Sequence, residues 1–392
     1  MKKMLALFLG LSFCAQQPYV SARQPSLPAA GHQHIPSSVQ LAGPSPVFVS
    51  GEDGYRSFRI PAIIRAANGD LLAFCEGRVN GASDFGNIRI VLKRSADNGG
   101  SWSPLQVVAS NDTLQAGNPA PVLDATDPDW PQGRLFLFYC TGDKTEGQIR
   151  RGIGTREVWY KTSTDNGLTW SEPVNITSQV KRKGWRAYAN TPGHAAQFTS
   201  GPYKGRIYIA ANHSVGDPQP HFADCIAHGY YTDDHGKTFH LSEDVALPGG
   251  NECMAAPLEG GKLMLNIRNQ QGHPRARVIA ISSDGGIHWD TTYADTRLPD
   301  PVCQGSILNL GVRHGRTVIA VCNPADTSER ENLTLHLSYD EGRTWGRTIP
   351  VDPVKQKEFT AYSDLVNLGS HRIGVLYERD DYKTITFVPI KW

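Results

Sequence analysis

A short pattern, Ser-x-Asp-x-Gly-x-x-Trp, recurs along the chain and constrains its fold more than any other feature. It reads Ser95/Asp97/Gly99/Trp102, Ser163/Asp165/Gly167/Trp170, Ser282/Asp284/Gly286/Trp289 and Ser338/Asp340/Gly342/Trp345, with a weaker copy at Thr232/Asp234/Gly236/Phe239. Each copy has the chemistry of a hairpin turn: the Asp carboxylate accepts backbone N–H bonds, Gly allows a dihedral that other residues resist, and the aromatic ring packs back beneath the turn. Turn aspartates repeated along the chain cannot all converge on one centre, so they read as structural rather than catalytic. Successive copies start 68, 69, 50 and 56 residues apart, the length of a four-stranded sheet with its loops. Repetition at that period indicates sheets arranged radially, and about 345 residues divided by about 55–60 per blade gives about six. The expected fold is therefore all-β, a six-bladed β-propeller with Asp-box turns, in one domain over residues 47–392.

The segments between the turns agree with this. Runs such as RLFLFYC (134–140), RIYIAAN (206–212), KLMLNIRN (262–269), TVIAVCN (317–323) and RIGVLYE (372–378) are apolar, strand-like and bounded by Gly, Asn, Asp or Pro, and no long helical period interrupts them. With 39% hydrophobic residues in 392, the chain can build a full-sized core and is neither a disordered tail nor a coiled coil. Lys and Arg number 39 against 38 Asp and Glu, which removes any bulk electrostatic case for a nucleic-acid partner. The short basic stretch KRKGWR at 181–186 reads as a solvated loop.

Ahead of the folded part, Lys2 and Lys3 precede an apolar run from Leu5 to Phe13, which reads as a bacterial-type signal peptide over 1–14, too short for a spanning helix. Cys14 follows directly, as the lipidated cysteine of a bacterial lipoprotein would, although Phe13 stands where a small residue is usual; plain cleavage nearby is the other reading. Residues 15–46 are rich in Pro, Ser, Gln and His and read as a polar linker. No later stretch reaches 18 consecutive apolar residues, so no transmembrane segment is expected, and the location implied is extracytoplasmic: periplasmic, secreted or lipid-anchored at the outer membrane. The remaining cysteines, Cys75, Cys140, Cys225, Cys253, Cys303 and Cys322, are widely spaced without a CxxC pair, and read as buried thiols rather than disulfides or a zinc site.

Near the start of the folded part stands Tyr55-Arg56-Ser57-Phe58-Arg59-Ile60-Pro61. This FRIP element, followed by the Asp-box turns, resembles the exo-sialidases (neuraminidases) of glycoside hydrolase family 33, bacterial type, over Val47 to the C-terminus. The resemblance implies that Arg59, Arg268 in LNIRNQ and Arg330 in SERENLTL clamp the substrate carboxylate. Guanidinium forks bind planar carboxylates through paired charge-assisted bonds, which suits a sugar carrying a carboxylate on its anomeric carbon. It further implies Tyr362 as nucleophile with Glu252 as its base. A neutral phenol avoids the repulsion that a carboxylate nucleophile would meet, and needs a base because its free pKa is near 10. Asp84 in GASDFGN matches the acid/base. Glu378 matches the carboxylate that orients the first arginine, and Arg78 a residue that reaches the substrate near the acid/base loop. Trp185, Arg186 and Tyr188, in the segment 185–197, are candidate contacts to the glycerol and N-acyl side of the sugar.

The implied activity is retaining hydrolysis of terminal sialic acids from glycans or mucin-like glycoproteins. Transfer to an acceptor or formation of an anhydro product on the same site is the near alternative, and a non-catalytic carbohydrate-binding propeller the distant one. The chemistry requires no metal or organic cofactor, and neither a Gly-rich phosphate loop nor a ligand-spaced His cluster argues for one.

Overall fold

The computed structural model of the chain describes residues 43–352 and 358–392. The expected signal peptide, Cys14 and the linker as far as residue 42 lie outside the described residues. The first strand, Ser45–Val49, begins slightly ahead of the expected start of the folded part. It pairs antiparallel with the last strand, Thr384–Lys391, so the two ends of the folded region share one sheet, completed by Arg372–Arg379 and Thr360–Gly369. Among the described residues no helix is long and apolar enough to cross a membrane.

The architecture is an all-β propeller arrangement, but the expected count of six blades is corrected. The strands form four sheets of blade size, three four-stranded and one five-stranded, together with one eight-stranded sheet. The reason is a parallel pairing that a repeat count cannot see: Ile88 and Gln115 join the antiparallel run Ser57–Arg65, Leu71–Arg78, Ile88–Ser95 to the run that starts with Gln115–Asp124. A turn period counts hairpins, whereas a sheet ends only where hydrogen bonding ends.

Strands that lie between neighbouring sheets are buried on both faces, which is why they read as unbroken apolar runs; Leu71–Arg78 is buried at every position. The core is correspondingly divided into layers between sheets, such as the one built from Phe136, Phe138, Ile207, Ile209, Tyr230 and Phe239. Near the axis the innermost strands are tied by buried polar groups. Asp364 accepts from the backbone N–H of Ile63 at 2.8 Å and of His194 at 3.0 Å, with His194 Nδ1 at 2.7 Å. Gln304 donates to the carbonyls of Pro192 at 3.1 Å and Ser363 at 3.0 Å.

The repeated turns share one geometry. In the first, Ser95 Oγ donates to Asp97 (2.7 Å) and accepts from the Gly99 N–H (2.7 Å), while Asp97 accepts from the Ser101 N–H (2.9 Å) and hydroxyl (2.7 Å). Gly99 has φ 91°, and a Cβ there would overlap the Phe387 ring in the sheet that precedes it around the ring. The Cβ of an alanine at Gly236, Gly286 or Gly342 would likewise press into Phe136, Tyr208 or Met264 of the preceding strands. The pattern's glycine therefore serves both the turn and the contact between sheets. The six cysteines among the described residues are all buried and free.

Candidate active site

Bulges near the start of the inner strands place the polar residues of one cleft. The register slips between Arg59 and Ala62, Gly117 and Ala120, Trp185 and Tyr188, Gly250 and Cys253, and Thr360 and Ser363. An extra residue in one strand bends it and re-aims side chains off the sheet. At two of these positions the cause is in the sequence. Pro61 and Pro119 cannot donate to the ladder, and the preceding Ile60 (φ 61°) and Asn118 (φ 55°) take left-handed backbone. For β-branched Ile60 that conformation is strained, at a cost of about 1–3 kcal/mol.

The cleft encloses about 370 Å³ and is lined by Arg59, Arg78, Asp84, Glu252, Arg268, Arg330 and Tyr362, seven of the eight residues expected in the clamp, the catalytic group or its support. The eighth, Glu378, lies directly behind the wall, fully buried. Its carboxylate accepts from Arg59 Nε at 2.7 Å, from the Ile60 N–H at 2.9 Å and from the Tyr362 N–H at 3.2 Å. One carboxylate thus fixes an arginine, the strained residue beside it and the backbone of the tyrosine.

Tyr362 Oη donates toward Glu252, whose oxygens lie 2.6 and 2.8 Å away. Arg268 Nη1 donates to Glu252 at 2.7 Å and to Tyr362 Oη at 3.0 Å. The guanidinium carbons of Arg59 and Arg330 stand 5.5 and 5.7 Å from the Tyr362 ring centre. Ile60, Cys303 and Ala361 pack with Tyr362 as an apolar floor beneath the charges. Burial, then the charge of Glu252, push the Tyr362 phenol well above its ordinary value, against the smaller pull of Arg268 and Arg330, so it stands neutral. Burial works against the charges on Arg268 and Arg59, but both stand above the ordinary arginine value, beside the carboxylates of Glu252 and Glu378.

Asp84 occupies a different setting. Its side chain is 81% exposed at the mouth of the cleft and pairs with Arg78 Nη1 at 2.7 Å. Of the three candidates in the segment 185–197, only Tyr188 lines the cleft. Trp185 instead stacks on His213 with ring centres 3.5 Å apart, and Arg186 turns away to Asp217 and the Arg150 carbonyl, both at 2.8 Å.

The structure adds wall residues that were not singled out: Glu76, Asn118, Glu146, Arg156, Gln270 and Tyr382. Glu76 carried a signal, a charged residue two positions from Arg78 on one strand face. Tyr382 carried none. It sits in a hairpin with three successive left-handed residues, Asp380, Asp381 and Tyr382, which bring its ring 3.8 Å from the Arg59 guanidinium and its hydroxyl 2.9 Å from Arg330 Nη1. Outside the cleft, Asp124, Asp127 and His235 have the proximity of metal ligands. Protein partners already occupy them: His235 and Gln197 bond Asp124 at 2.8 and 2.6 Å, and Arg134 pairs with Asp127 at 2.8 Å. They serve as a strut between sheets.

Residues 69–375 match the BNR repeat-like domain family. A sialidase of Micromonospora viridifaciens is 31% identical over 379 residues, covering 92% of this chain and 55% of its own length. An exo-alpha-sialidase of Arthroderma benhamiae is 30% identical over 370 residues, covering 87% of this chain and 82% of its own. Among solved structures, a Hadza microbial sialidase superposes with TM-score 0.75 at 26% identity over 89% of this chain and 68% of that one. The chain belongs to the sialidase family of BNR-repeat propellers. Its relatives are bacterial, fungal and mammalian, including a sialidase of Cricetulus griseus, so the bacterial type expected from sequence is narrower than the family found. The chain spans little more than half of the Micromonospora protein.

Proposed function

We propose that this chain is an exo-α-sialidase that hydrolyses terminal sialic acids from glycoconjugates with retention of configuration. The observation that carries the reading is the neutral Tyr362 phenol held 2.6 and 2.8 Å from the two oxygens of Glu252, in a cleft with the guanidinium groups of Arg59, Arg268 and Arg330. Three arginines give a carboxylated sugar a charge-assisted seat and a neutral one none. Tyr362 Oη then attacks the anomeric carbon while its proton passes to Glu252 and the bond to the leaving oxygen breaks. Asp84 gives that oxygen a proton. In the second half Asp84 takes a proton from water as the water oxygen attacks the same carbon, the tyrosyl bond breaks and Glu252 returns its proton to the phenol. The positions of Asp84 at the open mouth and Tyr362 on the floor support this division of roles.

Proton NMR of the first product formed from sialyllactose tests the reading. The α-anomer of free sialic acid is expected from the wild type, with that activity lost in Tyr362→Phe. A new sialoside or an anhydro sugar would replace hydrolysis by transfer. Undiminished turnover in the variant would remove Tyr362 from the mechanism.

A further inference from the structure

Among the described residues, the segment 80–86 that carries Asp84 is tied to the rest of the protein by polar contacts from one side chain. Arg78 Nη1 donates to the Ala82 carbonyl at 2.6 Å and pairs with Asp84 Oδ1 at 2.7 Å. Arg78 is itself 3% exposed and is gripped from beneath by Glu76, whose Oε2 accepts from Nε at 3.1 Å and Nη2 at 2.7 Å. The other oxygen of Glu76 accepts from the Asn118 N–H at 2.9 Å, in the bulge of the neighbouring inner strand. Gly117 makes room for this: a Cβ there would overlap Glu76 Oε1, although its backbone is not left-handed. A chain of contacts therefore runs from the rigid inner strand through Glu76 and Arg78 to an otherwise loosely held loop.

We infer that Glu76 is a positioning residue, acting through Arg78 to hold Asp84 at the leaving-group side of the cleft. This rests on the reading of Asp84 as the acid/base. A fork bound on one side by a carboxylate loses the free rotation of its long stem, so the groups on its other side inherit a fixed place. Without Glu76, Arg78 would keep its attraction for Asp84 but not the position from which it applies it, and a proton donor displaced by about 1 Å can lose on the order of a hundredfold in rate.

The test compares two substrates in three proteins: wild type, Glu76→Gln and Asp84→Asn, each checked for folding by thermal unfolding. Sialyllactose releases lactose, a poor leaving group that needs the acid; methylumbelliferyl sialoside releases methylumbelliferone, a good one. Asp84→Asn is expected to lower kcat/KM on sialyllactose by about a hundredfold, and far less on the aryl sialoside. Glu76→Gln is expected to show the same bias at smaller size, about tenfold against at most about threefold. Should Glu76→Gln fail to fold, Gly117→Ala, which crowds Oε1 without removing the carboxylate, carries the comparison. If Asp84→Asn discriminates between the substrates while the Glu76 or Gly117 variant lowers both alike, the inference is overturned and the mechanism stands. If Asp84→Asn does not discriminate, the acid assignment fails and the inference with it.

Discussion

Replacing Glu378 by Gln keeps the shape of the buried group and removes its charge, and the structure sets the size of the effect. Arg59 and Glu378 are 10% and 0% exposed at their side chains, so solvent screens the pair little. Breaking such a pair by removing one partner costs about 3–5 kcal/mol. A glutamine oxygen at the Oε1 position can still accept from both Arg59 Nε and the Ile60 N–H, returning about 2 kcal/mol at about 1 kcal/mol each, but its amide then faces the Tyr362 N–H, donor against donor. The net loss is about 1–3 kcal/mol, or a fall in Tm of about 2–6 °C at about 2 °C per kcal/mol. Because the same bonds align Arg59 and the Tyr362 backbone, KM should rise about tenfold, equivalent to about 1.4 kcal/mol. Scanning calorimetry and steady-state kinetics on sialyllactose measure both. A Tm and a KM both equal to wild type would refute the argument that Glu378 pins the clamp.

Three further predictions concern the neighbours of the site and the turns. Tyr382→Phe loses the bond from Arg330 but keeps the ring over Arg59, whereas Tyr382→Leu loses both; KM should rise about threefold and about tenfold respectively with little change in kcat, and equal KM in the two variants would show that the ring adds nothing. Gly286→Ala must take φ near 92° and meet the Tyr208 ring, at a cost of at least about 2 kcal/mol and about 4 °C, while Gly81→Ala, where a Cβ meets nothing within 4 Å, should leave Tm unchanged; similar melting of the two would contradict the packing account. Bonds from Ser101 and Ser95 hold the Asp97 carboxyl down at about 2, and against burial, which raises it, bonds from His288 and Ser282 do the same for Asp284. A lowered folded value means these turns contribute fully above the unfolded value of about 3.9 and lose that contribution as pH falls through about 2; urea midpoints should drop across this window, less steeply in Asp284→Asn, and identical slopes would remove Asp284 from the acid response.

What was legible in the sequence was local. The Ser, Asp and Gly of each turn bond within five consecutive positions, so the residues themselves carry the geometry, and the apolar runs follow from strands sandwiched between sheets. The count of sheets was not legible, because it turns on the pairing of Ile88 with Gln115 across a separate hairpin. For the cleft, residue types and resemblance pointed to Arg59, Arg268, Arg330, Glu252 and Tyr362, which come from strands and a loop far apart in sequence and converge here. Trp185 and Arg186 misled because a bulge at 185–188 turns consecutive side chains in different directions. Tyr382 was invisible: its place depends on a left-handed hairpin built from Asp-Asp-Tyr, a sequence that reads as an exposed turn.

The central claim, that the Tyr362 oxygen becomes bonded to the sugar, is open to direct measurement. A fluorinated sialosyl fluoride, whose ring fluorine slows breakdown of the intermediate, would be incubated with the wild-type protein, digested and mapped by mass spectrometry. The account predicts one added sialosyl group on a peptide spanning 360–369, located by fragmentation on Tyr362 and absent from Tyr362→Phe. Turnover of the reagent with the label on Glu252 or another residue, or with no labelled peptide under conditions where the enzyme is inactivated, would contradict it.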